Sequence, residues 1–189
     1  TDYKALNIYG DYTERFGEHS VKLLAGFNQE ERYYEQQYSS IAQMINDDLP
    51  SLSQGVGQPV TRDSYDEYAV RGFFGRINYS YLDRYLLEVN GRYDGSSKFP
   101  PKHRWGFFPS VSVGWRMTEE TFMSSLKPYL SELKIRGSYG TVGNQAIETY
   151  AFLPGMSSFK STWLDNNTQP VTLNPPLLVS DNFTWETVT

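Results

Sequence analysis

The feature that most constrains this chain is a series of segments in which apolar and polar residues alternate with period two, joined in pairs by very short connections. Residues 85–94 carry it most cleanly: Tyr85, Leu87, Val89 and Tyr93 alternate with Glu88, Asn90, Arg92 and Asp94. Successive side chains of a strand point to opposite faces, so this pattern predicts a strand with two unlike surfaces. The same parity recurs along the chain. Leu6, Ile8 and Tyr12 oppose Asn7 and Asp11, while Val21, Leu23, Ala25 and Phe27 oppose Lys22, Gly26 and Asn28, with Leu24 out of pattern. Ile77, Tyr79 and Tyr81 oppose Arg76, Asn78 and Ser80. Pro109, Val111, Val113 and Trp115 oppose Ser110, Ser112 and Arg116; Leu133, Ile135 and Tyr139 oppose Lys134, Arg136 and Ser138.

The connections are unequal. Residues 14–19 and 82–84 read as tight turns, and residues 35–66, 95–105 and 143–184 as long, extracellular loops. Residues 118–131 form a medium connection with a helical turn over EETFMSSL, capped by Thr118. A second helical turn is expected at 41–45, ended by Pro50, Gly55, Gly57 and Pro59. A β-like stretch restarts at Phe183, Thr184 and Trp185. Roughly six strands result, each long enough for the roughly 9–11 tilted residues of a membrane-spanning strand. Outer-membrane barrels join their strands by short periplasmic turns and long external loops. Tyr79, Tyr81, Tyr85 and Trp115 gather where strands meet turns, as rings do at a membrane–water boundary. The pattern therefore predicts an all-β, antiparallel up-and-down transmembrane β-barrel, here a partial wall. A soluble sandwich with the apolar face as its core has the same alternation and stays open on pattern alone.

Composition fits strands: 15 Tyr and 11 Phe help bring aromatics to 16% of the chain, and such side chains suit a pleated surface. Mean hydropathy is −0.56; it does not discriminate, because a barrel strand turns an apolar residue to lipid only at every second position. No apolar run approaches the about 18 residues of a transmembrane helix. No signal-peptide pattern opens the chain, which in an exported protein predicts a mature or internal N-terminus. Net charge is −5 with no basic cluster, which excludes a nucleic-acid surface. The chain has no cysteine, so disulfide frameworks and thiolate metal sites are excluded.

Signals for covalent chemistry are poor. His19 and His103 lack metal-ligand spacing. Adjacent carboxylates such as Asp47-Asp48 and Glu119-Glu120 point apart and lack acid–base geometry. Asp165-Asn166-Asn167 offers oxygen ligands without the bidentate Glu of a calcium loop. Asn166 and Asn182 each begin an Asn-x-Thr glycosylation pattern. Neither enzyme activity nor a cofactor is expected. The sharpest local feature is Tyr93-Asp94-Gly95-Ser96-Ser97. Its structural reading is a turn capped by Asp94, with Gly95 at positive φ. Its functional reading is a loop whose Asp94, Ser96 and Ser97 reach substrate hydroxyls, braced by Arg104 and Trp105. Tyr150, Phe152, Phe159 and Trp163 are candidates to stack on substrate, or to pack the loop on itself or on a partner. Glu88, Arg92, Lys134 and Arg136 are expected to face a hydrated lumen and to pair across strands.

Three ordered blocks carry a family resemblance: GRINYSYLDRYLLEVNGRYDGSSKF (75–99), RWGFFPSVSVGWRMTEETFM (104–123) and LKIRGSYGTVGNQAIETY (133–150). They resemble the C-terminal barrel region of SusC/RagA-family TonB-dependent transporters of Bacteroidetes, as does the Trp185-Glu186 pair; residues 1–64 fit in pattern only. The resemblance implies a barrel of about 22 strands with a plugged lumen. It implies import of oligosaccharides or peptides across the outer membrane, with a SusD-like lipoprotein and with TonB, whose contacting segment and plug domain would lie outside residues 1–189. This chain is then expected to be one sector of a larger molecule.

Overall fold

A computed structural model describes residues 1–46, 48, 50–126, 128–163, 169–180 and 182–189. Six strands form one sheet in the order of the sequence: β1 (Asp2–Phe16), β2 (His19–Ser40), β3 (Val60–Tyr81), β4 (Tyr85–Ser96), β5 (Trp105–Arg116) and β6 (Lys134–Gly140). Every neighbouring pair is antiparallel, so the topology is an up-and-down meander whose edge strands are β1 and β6.

Turn chemistry sets the register. Gly17, with φ of 63°, occupies the first position of a two-residue hairpin turn, where only glycine enters at little cost. The β3–β4 turn has both Leu82 and Asp83 at positive φ and is closed by Arg84 N–H donating to the Tyr81 carbonyl at 3.0 Å. These are the features of a type I′ turn, whose twist matches the strands it joins. Arg15 holds the carboxylate of Asp83 at 2.6 Å and so ties the two turns together.

Register aligns the apolar parities of all six strands into rows. One row runs Tyr12, Leu23, Ile77, Val89, Val111, Tyr139, and every side chain in it lies on the same face. No second sheet covers that face among the described residues: Leu23, Ile77, Val89, Val111 and Val113 are all exposed. The soluble-sandwich alternative fails here, because its core would have to be this surface.

Aromatic rows border the apolar band. At the turn end lie Phe16, His19, Tyr81, Tyr85 and Trp115; at the other, Phe27, Phe73, Tyr93 and Phe107. Along each strand the rows are about eight residues or 26 Å apart, which at a tilt of about 40° is about 20 Å of height, close to the apolar band of outer-membrane barrels. Beyond the upper row the same parity becomes polar, with Gln29, Glu31, Glu67 and Arg71.

The described elements correct several expected boundaries. Strand β2 continues to Ser40 and β3 begins at Val60, so the loop is 41–59 rather than 35–66. The added residues form a hairpin arm in which 34–40 of β2 pair with 60–66 of β3. The expected helical turn at 41–45 is absent: Gln43 has φ of 58° and Met44 bridges Gly55. The 95–105 loop shrinks to 97–104. Thr118 is not a helix cap; it is buried and its hydroxyl receives the Leu133 N–H at 3.5 Å. Short strands divide the expected long loop from 143: β7 (Val142–Asn144) pairs with β10 (Glu186–Val188), and β8 (Ser158–Lys160) with β9 (Val171–Leu173).

Candidate functional site

The face opposite the apolar band is polar, and it is hollow. An open trough of about 850 Å³ runs along it, lined among others by Lys22, Asn78, Glu88, Arg92, Lys134 and Arg136. All four expected lumen charges therefore meet on one surface. Among the described residues these four charges do not pair with one another across strands; the only hydrogen bond that Arg92 makes across the sheet goes to the amide oxygen of Asn28, at 3.4 Å. Arg92 instead grips Asp94 two positions along its own strand, with Nε to Oδ2 at 3.1 Å and Nη2 to Oδ1 at 2.9 Å. Glu88 receives the amide of Asn90, again from the same strand, at 2.9 Å. The cause lies in the neighbours: Glu88 stands opposite Ser112, Arg92 opposite Phe108 and Arg136 opposite Gly114, none of which is charged.

At the outer end of the trough Phe108, one of its lining residues, joins a packed aromatic seam. Phe99 is fully buried and Phe108 nearly so. Between them lies the indole of Trp185, with ring centroids 5.2 Å from each. Its N–H donates to the Arg104 carbonyl at 2.8 Å. Two glycines admit the seam: a Cβ on Gly143 would sit 2.1 Å from the Phe108 ring, and one on Gly106 would sit 3.0 Å from the Trp185 indole. The sequence marks Trp185 as part of a β-like stretch and of the Trp185-Glu186 pair, with no sign of its packing partners. The inward parity of Phe108 was readable, but its long-range partner was not.

Asp94 does not cap a turn. It lies inside β4, is 9% exposed, and Gly95 after it is not at positive φ. The reason for glycine at 95 is space, since a Cβ there would lie 2.7 Å from the Trp105 indole. Ser96 is buried and accepts the Lys98 N–H at 3.3 Å. Ser97 is stapled to β3: its hydroxyl takes the Ala69 N–H and its own N–H reaches the Ala69 carbonyl, both at 2.9 Å. Arg104 braces the loop as expected, Nε donating to the Phe99 carbonyl at 3.1 Å. Trp105 faces the apolar side, stacked on Tyr93 at 4.8 Å and on Phe73 at 6.3 Å. It belongs to the outer aromatic border rather than to the mouth, because its parity is that of Tyr93 and Phe107.

The loop aromatics remain accessible. Tyr150 is 42% exposed, Phe159 on β8 46%, and Trp163 63%. Thr149, beside Tyr150, hydrogen-bonds Asp66 of the hairpin arm, and Lys98 reaches the Ile147 carbonyl at 2.9 Å. These two contacts draw the 141–157 segment over the mouth. The Asp47-Asp48 pair, the Asp165-Asn166-Asn167 run and the Asn166 glycosylation pattern fall on or include positions outside the described residues. Among the described residues no cluster of His, Asp and Glu has metal-site geometry.

The whole of residues 1–189 matches the family described as TonB dependent receptor-like, beta-barrel. A TonB-dependent receptor P26 of Formosa agariphila is 40% identical over 129 residues, covering 68% of this chain and 13% of that protein. The TonB-dependent receptor SusC of Bacteroides thetaiotaomicron is 34% identical over 162 residues, 82% of this chain and 15% of that protein. In fold the chain is similar to the RagAB peptide transporter, with a TM-score of 0.83 at 24% identity over 98% of this chain and 20% of the larger one. The chain thus spans only a small part of the relatives it matches.

Proposed function

Because the chain belongs to the TonB-dependent receptor β-barrel family, whose members are outer-membrane receptors and not enzymes, we propose that it forms one sector of the wall and outer mouth of an energised nutrient importer of the SusC/RagA type. The observation that carries this reading is one sheet with two opposed solvents: an apolar face bordered by aromatic rows, backed by a trough lined with Lys22, Asn78, Glu88 and Arg136. A sheet of this kind separates lipid from water without a packed core of its own.

Within that sector the residues divide by task. Arg92 and Asp94 form a bidentate pair that orders the trough wall and occupies the Asp94 carboxylate, while the half-exposed Arg92 also reaches Asn28. Phe99 and Phe108 pack against Trp185 and so anchor the segment that follows β6. Substrate contact falls to the exposed rings of Tyr150, Phe159 and Trp163, which can stack on sugar faces or on peptide side chains. The substrate is an oligosaccharide or a peptide delivered by a SusD-like lipoprotein over the mouth; the plug and the segment that meets TonB belong to the remainder of the molecule. No bond is made or broken in the substrate. The work is recognition, exclusion and passage.

Uptake by cells carrying the full-length protein tests this. Labelled oligosaccharides and peptides are compared in the deletion strain, in the complemented strain, and after collapse of the proton gradient. The expected result is saturable uptake of one class, lost on deletion and on de-energising. Energy-independent leakage of unrelated solutes of similar size would make the protein a general channel instead. Recovery of the intact protein as a soluble, detergent-free monomer would remove it from the membrane altogether.

A further inference from the structure

The turn end of the sheet carries two tight turns and one exception. Residues 117–133, between β5 and β6, are far longer than a periplasmic connection needs to be. They are also well held. The Glu120 carboxylate receives the Tyr85 hydroxyl at 2.7 Å, the Trp115 indole N–H at 3.0 Å and Arg84 Nη1 at 3.1 Å. Tyr85 and Trp115 sit opposite one another in the lower aromatic row, on the apolar face. A carboxylate that reaches both must lie outside the barrel, on the lipid side of the sheet and not the lumen side. Phe122 continues the same surface, edge-on to Trp115 at 6.5 Å.

The connection has an inside and an outside. Thr118 and Met123 are buried. Phe122, Leu126 and Tyr129 point away, 62%, 49% and 90% exposed, with Leu130 beside them. These apolar side chains are therefore not the core of their own loop, and in water they would be an exposed patch with no purpose. We propose that the described part of this connection, 117–126 and 128–133, is a membrane foot that seats Phe122, Leu126, Tyr129 and Leu130 in the headgroup–acyl boundary of the periplasmic leaflet. The occupant is lipid because Phe122, edge-on to Trp115, extends the surface that already faces lipid, and Leu126, Tyr129 and Leu130 are exposed apolar residues of the same connection. Interfacial segments bury an apolar side by a few ångströms in this zone, and aromatic rings favour it. Glu120 is the positioning residue, fixing the foot to the wall from the wet side of the boundary. The inference rests on the barrel spanning a membrane and is independent of what it transports.

Nitroxide labels on single cysteines in the full-length protein, reconstituted in phospholipid nanodiscs with any native cysteines replaced by serine, test it. Phe122→Cys and Leu126→Cys are compared with Val111→Cys on the lipid face and Glu18→Cys in the β1–β2 turn. Collisions with oxygen are expected to exceed those with a water-soluble nickel chelate, several-fold more than at Glu18 and approaching Val111. Chelate access equal to that at Glu18 would place the connection in the periplasm. Exclusion of both reagents would mean that protein covers it; either result overturns the proposal. Adding Glu120→Ala to Phe122→Cys should shift the label toward the chelate while heat-modifiable migration shows the barrel still folded. A label that stays as lipid-exposed as before would remove Glu120 from its positioning role.

Discussion

At the scale of the residue, close approach explains more of this wall than charge does. Gly72 faces the trough, where a Cβ would lie 2.2 Å from Asp94 Oδ1 and 2.4 Å from Asn28 Oδ1. Gly72→Ala must displace the Arg92–Asp94 pair, so it is expected to lower stability by about 1–3 kcal/mol, the usual cost of overpacking. The temperature of the heat-modifiable transition of the full-length protein reads this, with Gly10→Ala, whose Cβ would meet nothing, as the neutral control. A second prediction concerns Tyr65, above the band on the hairpin arm. Its hydroxyl hydrogen-bonds Glu67, which pushes its pKa from 10.0 to about 12. The folded value is raised, so the contact's contribution is complete below the unfolded pKa and is lost as pH rises through the folded one. Titration of isotopically labelled Tyr65 should therefore show a midpoint near 12 that returns toward 10.0 in Glu67→Gln. An unmoved midpoint would disconnect the two side chains.

At the scale of the element, the β5–β6 connection depends on one carboxylate, and its pH response follows. Hydrogen bonds from Tyr85 and then Trp115 draw the Glu120 pKa below the ordinary 4.5. For a depressed group the stabilisation is present above the unfolded pKa and lost as pH falls through the folded one. The foot is expected to resist proteolysis at neutral pH, to become cleavable as pH falls below the ordinary carboxylate range, and to be cleavable at neutral pH in Glu120→Ala. Resistance retained in Glu120→Ala would show that Thr118 and Met123 suffice to hold it. The same scale shows how much was legible in the sequence. Period-two parity identified the strands and which charges share the face opposite the apolar band, because successive side chains of a strand point to opposite faces. It failed on the hairpin arm, where both faces meet water and the pattern vanishes, although Tyr33 and Tyr65 still pair edge-on at 5.1 Å. It misplaced Trp105 because β5 begins at that residue, one position earlier than the expected loop end allowed, which carries the outward parity of Pro109 and Val111 back to the indole. Trp185 was unreadable for another reason: its partners Phe99 and Phe108 are far from it in the chain, and no local period encodes that meeting.

At the scale of the whole molecule, the sheet has two edges. Strands β1 and β6 each bond one neighbour in the sheet, and the unpaired N–H and C=O groups along their other sides would lie at the depth of the apolar band. Each such group in hydrocarbon costs several kcal/mol, so an open edge of spanning length outweighs the favourable transfer of the exposed valines, leucines and tyrosines. Closure by further strands removes the penalty entirely, and the similar chains are long enough to provide them. Residues 1–189 expressed alone and directed to the outer membrane are therefore expected to aggregate, to be extracted by urea, and to show no heat-modifiable band. The full-length protein should show all the opposite properties. The discriminating case is oligomerisation, since several copies of a six-stranded sheet could close edge to edge. A discrete, urea-resistant oligomer of residues 1–189 with a water-filled interior would mean that β1 and β6 can satisfy each other, and that closure does not require the rest of the chain.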